Sequence, residues 1–494
     1  MNQRWLGGML TVLVLALVPV WAQDTSGQQT PDTTPQQPTR TPPAAFGQES
    51  TQEPATQFPP LSGLDEASLE PNIAPRSMLV TSFQASEVAD SNTTDKLNQG
   101  LGHHFVGSTR LAGSFALQRL WSHYQLVTQY TGAGALYTGS GRENSQMHGL
   151  NFDAKTLWRT GALALRDSVD YLPEGTFGGG SFGGAGSIGG LGGGVGGGGM
   201  GGGGLGGGGF GGGGVGGFFG SGSFGSLGNS PRLMNRTIVD VQQRLNPRNS
   251  ITLAGGYTFV HFTRNTGGLL LDSRQVSGQA GFNHILSRRN SVATVYGYQA
   301  FHFPGINAGS FQTHMVHFVF GHQVSGRMDL TLGAGPQVSE LHSSVFGNST
   351  RLSASARASL RYRFPKVSVG LSYDRFDSSG SGLVAGATSD VVRGTLSRPL
   401  SARWHFLANG GYTHNNRLLD STSGVNTKSF NSWYGGARLS RLFSRTLSGF
   451  VFYHFNELDL GNSFCGVSVQ CDHLSTRHVV GLGVSWQPRP IRLD

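Results

Sequence analysis

The sequence predicts an all-β protein, a transmembrane antiparallel β-barrel of 16–18 strands with a disordered N-terminal arm, and three observations predict it. The first is residues 350 to 364, where Arg351, Ser353, Ser355, Arg357, Ser359, Arg361 and Arg363 fall on one parity and Leu352, Ala354, Ala356, Ala358, Leu360, Tyr362 and Phe364 on the other. A period of two is a strand whose two faces meet different media, and a helix would mix the two sets. The run exceeds the roughly 5–6 residues usual for strands of soluble domains and reaches the about 9–11 that a tilted strand needs to cross a bilayer. The second is the rhythm of the connections. Asn246-Pro247-Arg248, Leu286 to Arg289, Ser325-Gly326, Phe364-Pro365 and Arg398 to Ser401 are tight, whereas those between them are longer and rich in Gly, Ser, Asn and Asp. Short turns at one rim, long loops at the other and an even strand number characterise bacterial membrane-spanning barrels. The third is charge density: 13% of the residues are charged, against about 25% in ordinary soluble domains.

At the start of the chain, Arg4 leads an apolar run from Leu10 to Val18, followed by Pro19 and the small-residue ending Val20-Trp21-Ala22. Residues 1–22 therefore read as a secretory signal peptide cleaved after Ala22, too short for the roughly 20 residues of a spanning helix. Residues 23–75 are rich in Pro, Thr, Gln and Ser, cannot bury enough apolar surface to offset ordering entropy, and read as a disordered periplasmic arm. The arm is either a spacer or a segment that docks to another envelope component.

The barrel is predicted over residues 76–487. Strands are expected near 77–90, 104–118, 122–137, 144–154, 157–171, 233–245, 249–262, 272–286, 290–303, 311–324, 327–341, 349–364, 366–377, 388–398, 402–414, 428–442, 447–457 and 476–487. The first of these is required by parity, because a chain that ends at the short-turn rim needs an even number of crossings; without it the number falls to sixteen. Alternation is clean in 249–262, 366–377 and 476–487 and poor in 290–303, 311–324 and 447–457, where both faces carry large apolar groups. Either the lumen there packs against a plug or inserted loop, or the register is different. Residues 173–230 are mostly Gly with isolated apolar residues and form a long external loop within the barrel, either a tolerated flexible insertion or a surface tether or constriction. Chance GxGxxG matches there lack the strand and helix that a phosphate site requires.

The net charge is +9, and only Lys96, Lys155, Lys366 and Lys428 are lysine, so the positive charge is guanidinium. These charges are spread strand by strand, which argues against a nucleic-acid surface. By parity, Arg351, Arg357, Arg361 and Arg363 line the lumen, together with Arg393, Arg403, Arg438 and Arg477. Arg rings favour anions where no carboxylate stands close enough to cancel them, and the sequence suggests none does. The competing reading is that these side chains hydrate the lumen or bind lipid phosphates at the rims.

Trp121, Trp158, Trp404, Trp433 and Trp486 suit the interfacial girdles of a membrane barrel. His314 and His317 differ in parity and cannot share a metal. Cys465 and Cys471, the only cysteines, are candidates for a small disulfide loop in an oxidising compartment; zinc would need more ligands than this pair and the nearby His473. No nucleophile elbow or compact acid–base cluster appears, so neither enzyme chemistry nor a cofactor is expected.

The signal segment, the Pro/Thr/Gln arm, the alternating strands with Gly-Ala-Gly-Pro at 333 to 336, and the step from Tyr-Leu-Pro-Glu at 171 to 174 into a Gly-rich loop resemble the porin-like Gram-negative outer-membrane β-barrel proteins encoded in numbers by soil diderm bacteria. The resemblance runs from about Ser77 to Trp486 and implies an integral outer-membrane protein that meets lipid, lipopolysaccharide and the barrel-insertion machinery. Many such barrels end on an aromatic residue, whereas here Trp486 is followed by eight more residues, Gln487 to Asp494. The expected function is passive diffusion of small, anionic solutes; the alternative is a non-transporting barrel that anchors the Gly-rich loop.

Overall fold

Alternation becomes strand throughout the chain, because each extended segment can satisfy its backbone only against a neighbour and each pairing leaves one apolar and one polar face. A computed structural model describes residues 60–62, 77–91, 105–138, 144–172, 231–263, 271–304, 309–343, 347–364, 366–380, 384–419, 428–461 and 474–493. The signal segment, most of the arm, the whole Gly-rich tract at 173–230 and both cysteines lie outside the described residues. The barrel and residues 60–62 belong to one unit, Glu53–Asp494.

The wall begins with β1 (Met78–Asp90), β2 (Val106–Leu120), β3 (Tyr124–Tyr137), β4 (Ser145–Trp158), β5 (Gly161–Leu172) and β6 (Arg232–Asn246). It continues with β7 (Asn249–Phe262), β8 (Ser273–Ile285), β9 (Asn290–His302), β10 (Ser310–Ser325), β11 (Met328–Ser343) and β12 (Gly347–Arg363). The last third is β13 (Ser368–Ser378), β14 (Ala387–Pro399), β15 (Trp404–Arg417), β16 (Ser429–Leu442), β17 (Leu447–Asp459) and β18 (Leu474–Trp486). Each strand pairs antiparallel with its sequence neighbours, and β1 closes the ring on β18 from Phe83 opposite Trp486 to Asp90 opposite Val479. The fold is thus a closed eighteen-stranded barrel, with the first strand that parity demanded. After Trp486 the tail adds β19 (Ile491–Arg492), which pairs with Leu79 and Met78 and extends the closing seam. Pro336 sits inside β11, where the β10–β11 pairing is interrupted between Met315 opposite Gln337 and Phe318 opposite Ala334; a proline has no N–H for the ladder.

The outer face is apolar, with Phe318 and Leu482 each 62% exposed. Trp121, Trp158, Trp404 and Trp486 stand at the rim of short turns, while Trp433 lies further along the wall against Tyr412. Three tyrosines hydrogen-bond a histidine of the next strand on this outer face: Tyr130 to His148 at 2.9 Å, Tyr296 to His314 at 2.8 Å and Tyr453 to His478 at 2.9 Å. Amphipathic rings with a polar tip suit an interface between hydrocarbon and water.

The three strands of poor alternation keep their register. Their inward apolar residues are covered: Ala293 and Val295 of β9 with Met315 and Val319 of β10 pack against Ile238 and Leu61, and Phe450 and Phe452 of β17 pack with Val88 and Val479. At the long-loop end, Phe301, Phe303 and Phe311 form a cluster with Leu341, Ala385 and Leu419. Inserted chain is the explanation for the two strands β9 and β10.

Candidate functional site

The lumen is built by the polar parity of the strands, and three groups of charged side chains among the described residues mark it. In the first, Asp374 of β13 accepts a hydrogen bond from Arg357 Nε at 3.0 Å and faces Arg393 Nη1 at 3.8 Å. His317 of β10 meets the hydroxyl of Ser355, which lies on β12 two residues before Arg357 on the same inner face. In the second, Asp90 of β1 is fully buried; it accepts from Arg477 Nε at 2.9 Å, pairs also with Arg477 Nη2, and lies 3.9 Å from Arg110 Nη2. Further round the wall, Arg438 of β16 places its guanidinium 4.0 Å from the Phe450 ring centroid. The third reverses the ratio, with Arg166 of β5 between Asp240 at 2.7 Å and Asp153 at 3.4 Å.

The lumen also contains part of the wall's own chain. The β12–β13 pairing ends at Ala356 opposite Arg375, and beyond it the end of the β13–β14 hairpin turns inward. Asp377 there accepts hydrogen bonds from Thr313 at 3.1 Å, Ser339 at 2.5 Å and Thr388 at 2.9 Å, two of which are inner-face residues of β10 and β11. Gly386 has φ of +73°, and a Cβ at that position would meet the Phe311 ring. Glycine is needed twice over, for the left-handed backbone and for the close approach. Gly386 O also accepts from Leu418 N at 3.1 Å, so the start of the β15–β16 connection is tied to the same inward segment.

The eight arginines expected along the lumen fall out as follows. Arg351, Arg357, Arg361 and Arg363 share the inner parity of β12, opposite Ser339, Gly333, Asp329 and Arg327 or its neighbours at the short-turn end. Arg393, Arg438 and Arg477 are on the inner faces of β14, β16 and β18, the last two buried. Arg403 is in the exposed turn before β15, not along a strand. The expectation that no carboxylate stands close enough to offset these charges is corrected. Asp374, Asp90 and Asp329, the last 3.8 Å from Arg363, face four of the eight: Arg357, Arg393, Arg477 and Arg363. The reason is register: a strand's inner parity collects carboxylates as readily as guanidinium groups, and a charge taken from bulk water gains from a partner across the ladder. His314 and His317 lie on opposite faces, as their parity requires, and no group of three metal-ligating side chains occurs among the described residues.

No protein-family model and no curated protein matches this sequence. Among solved structures, the Pseudomonas aeruginosa OpdQ is 9% identical, with a TM-score of 0.38 over 84% of this chain and 99% of that one. Acinetobacter baumannii OccAB4 is 8% identical, with a TM-score of 0.39 over 84% of this chain and 99% of its own. The FrpB iron transporter of Neisseria meningitidis, in its F5-1 variant, is 7% identical, with a TM-score of 0.39 over 86% and 87%. At these scores the likenesses carry no argument about solute or activity, and the fold rests on the chain's own pairing.

Proposed function

We propose that the protein is an integral outer-membrane channel for passive diffusion of small solutes, with a preference for anions. The apolar exterior and the closed ladder support residence in a bilayer, where an open sheet edge would be left unsatisfied. Eighteen strands is a size at which a barrel can hold an aqueous path. The observation that carries the preference is that two carboxylates of the inner wall, Asp374 and Asp90, are each shared by two arginines. In planar bilayers under a salt gradient, the purified protein should give ohmic steps with a reversal potential displaced towards the anion. Arg357→Ala with Arg393→Ala should move that potential towards the cation. A silent barrel, or one with cation bias, overturns the proposal. The reading assigns no covalent chemistry to the protein.

One observation favours a second reading, a non-transporting barrel that presents external loops: the β13–β14 hairpin lies inside the lumen. Asp377→Ala separates the two. It removes the acceptor of three hydrogen bonds and should free the hairpin from β10 and β11, so conductance per step should rise severalfold if the hairpin narrows an open path. Silence in both the parent and Asp377→Ala supports the anchoring role.

A further inference from the structure

A fragment of the N-terminal arm sits inside the barrel, on a surface shaped to receive it. Ser62 is 1% exposed, and its polar atoms are met by inner-face residues. Its N–H donates to Asn283 Oδ1 at 3.0 Å, its carbonyl accepts from Gln279 Nε2 at 2.6 Å and from Thr252 Oγ1 at 3.2 Å, and its hydroxyl accepts from Asn283 Nδ2 at 2.6 Å while contacting the Thr252 hydroxyl. Leu61 packs on the apolar patch of Ile238, Ala293, Val295, Met315 and Val319. Two glycines leave the space: a Cβ at Gly281 would collide with the Ser62 side chain, and one at Gly321 would come within 2.7 Å of Leu61 Cδ2.

The position gives the contact a consequence. Thr252 follows the β6–β7 turn by a few residues, Asn283 precedes the end of β8, and Gly321 is near the β10–β11 turn, so the seat is just inside the short-turn mouth. The stretch from Ser62 to the start of β1 at Met78 can span up to about 50 Å when extended. The segment can therefore leave its seat without breaking any pair of the wall. Its hold is local, a few hydrogen bonds and one leucine, rather than the cooperative ladder that holds a strand.

We propose that the Leu61–Ser62 segment is a tethered plug of the short-turn mouth, and that Thr252, Gln279, Asn283, Gly281 and Gly321 form its receptor. Seated, it narrows the channel; released, it widens it. The narrowing rests on the channel reading above, whereas the docking does not.

The test uses the full chain carrying Ser62→Cys and Thr252→Cys, two positions whose hydroxyls already touch, with the parent protein treated identically to control for Cys465 and Cys471. Oxidation should join residues 62 and 252, read by mass spectrometry of peptides, and should hold conductance at its lowest level until reductant restores the parent value. Leu61→Asp, which strips the apolar half of the seat and leaves the wall untouched, should raise conductance at least twofold. Failure of the cross-link overturns the docking. A cross-link with conductance unchanged in both the locked protein and Leu61→Asp overturns the plug and leaves the segment a fixed strut. A cross-link in a barrel that is silent in every form overturns the channel reading and the plug, with the docking intact.

Discussion

Asp90→Ala is expected to destabilise the barrel by about 3–5 kcal/mol in a urea refolding titration. Asp90 is 0% exposed and lies at the seam between the first and last strands, where it meets Arg477 of β18 and Arg110 of β2. Removing the carboxylate leaves two guanidinium groups, each about 5% exposed, to face each other across β1 without it. The cost is less the attraction lost than the desolvated charge left behind. Replacing a partner as well, as in Asp90→Ala with Arg477→Met, should therefore recover part of the loss. A shift below about 1 kcal/mol for Asp90→Ala would mean that water in the lumen solvates these arginines in place of the carboxylate.

Phe318→Arg should cost about 2–4 kcal/mol in the same titration if its position is mid-bilayer, because it places a guanidinium in hydrocarbon. Phe318 is 62% exposed, lies in the middle of β10 and faces away from the lumen, between inward His317 and Val319. The matched control is Ser359→Arg on the inner parity of β12, which adds the same charge to a polar face and should be mild. Equal tolerance of the two would show that the barrel has no hydrocarbon-facing side, and the membrane assignment would fall with it.

The wall was legible in the sequence because one variable, parity, controls both strand geometry and solvent. The 350–364 run and the tight turns at 246–248 and 325–326 place β12, the β6–β7 hairpin and the β10–β11 hairpin where the structure has them. Parity also puts Arg357, Arg393, Arg438 and Arg477 on the inner face. What it does not contain is register across distant strands. Asp90 and Arg477 are 387 residues apart and meet only because the ring closes, so the pairing of charge was invisible. The same holds for Leu61 and Ser62, which lie in a stretch whose composition signals disorder; the signal that existed was on the receiving side, in strands 290–303 and 311–324 with apolar residues facing inward and nothing in the sequence order to cover them. The inward hairpin end left a trace at Gly386, whose left-handed backbone and lack of a Cβ let it approach the Phe311 ring.

The seam between β1 and β18 sets a timetable for biogenesis. The N-terminal strand acquires its second neighbour only when the final strand arrives, so until the ring closes both edges of the sheet stay open to pairing with foreign chains. Contacts of such sequence separation form slowly, since the entropy of closing a long loop is spent before they reward it. The polypeptide must therefore be shielded from its own kind until β18 is in place, and removal of β19 and the end of β18 should be felt as aggregation.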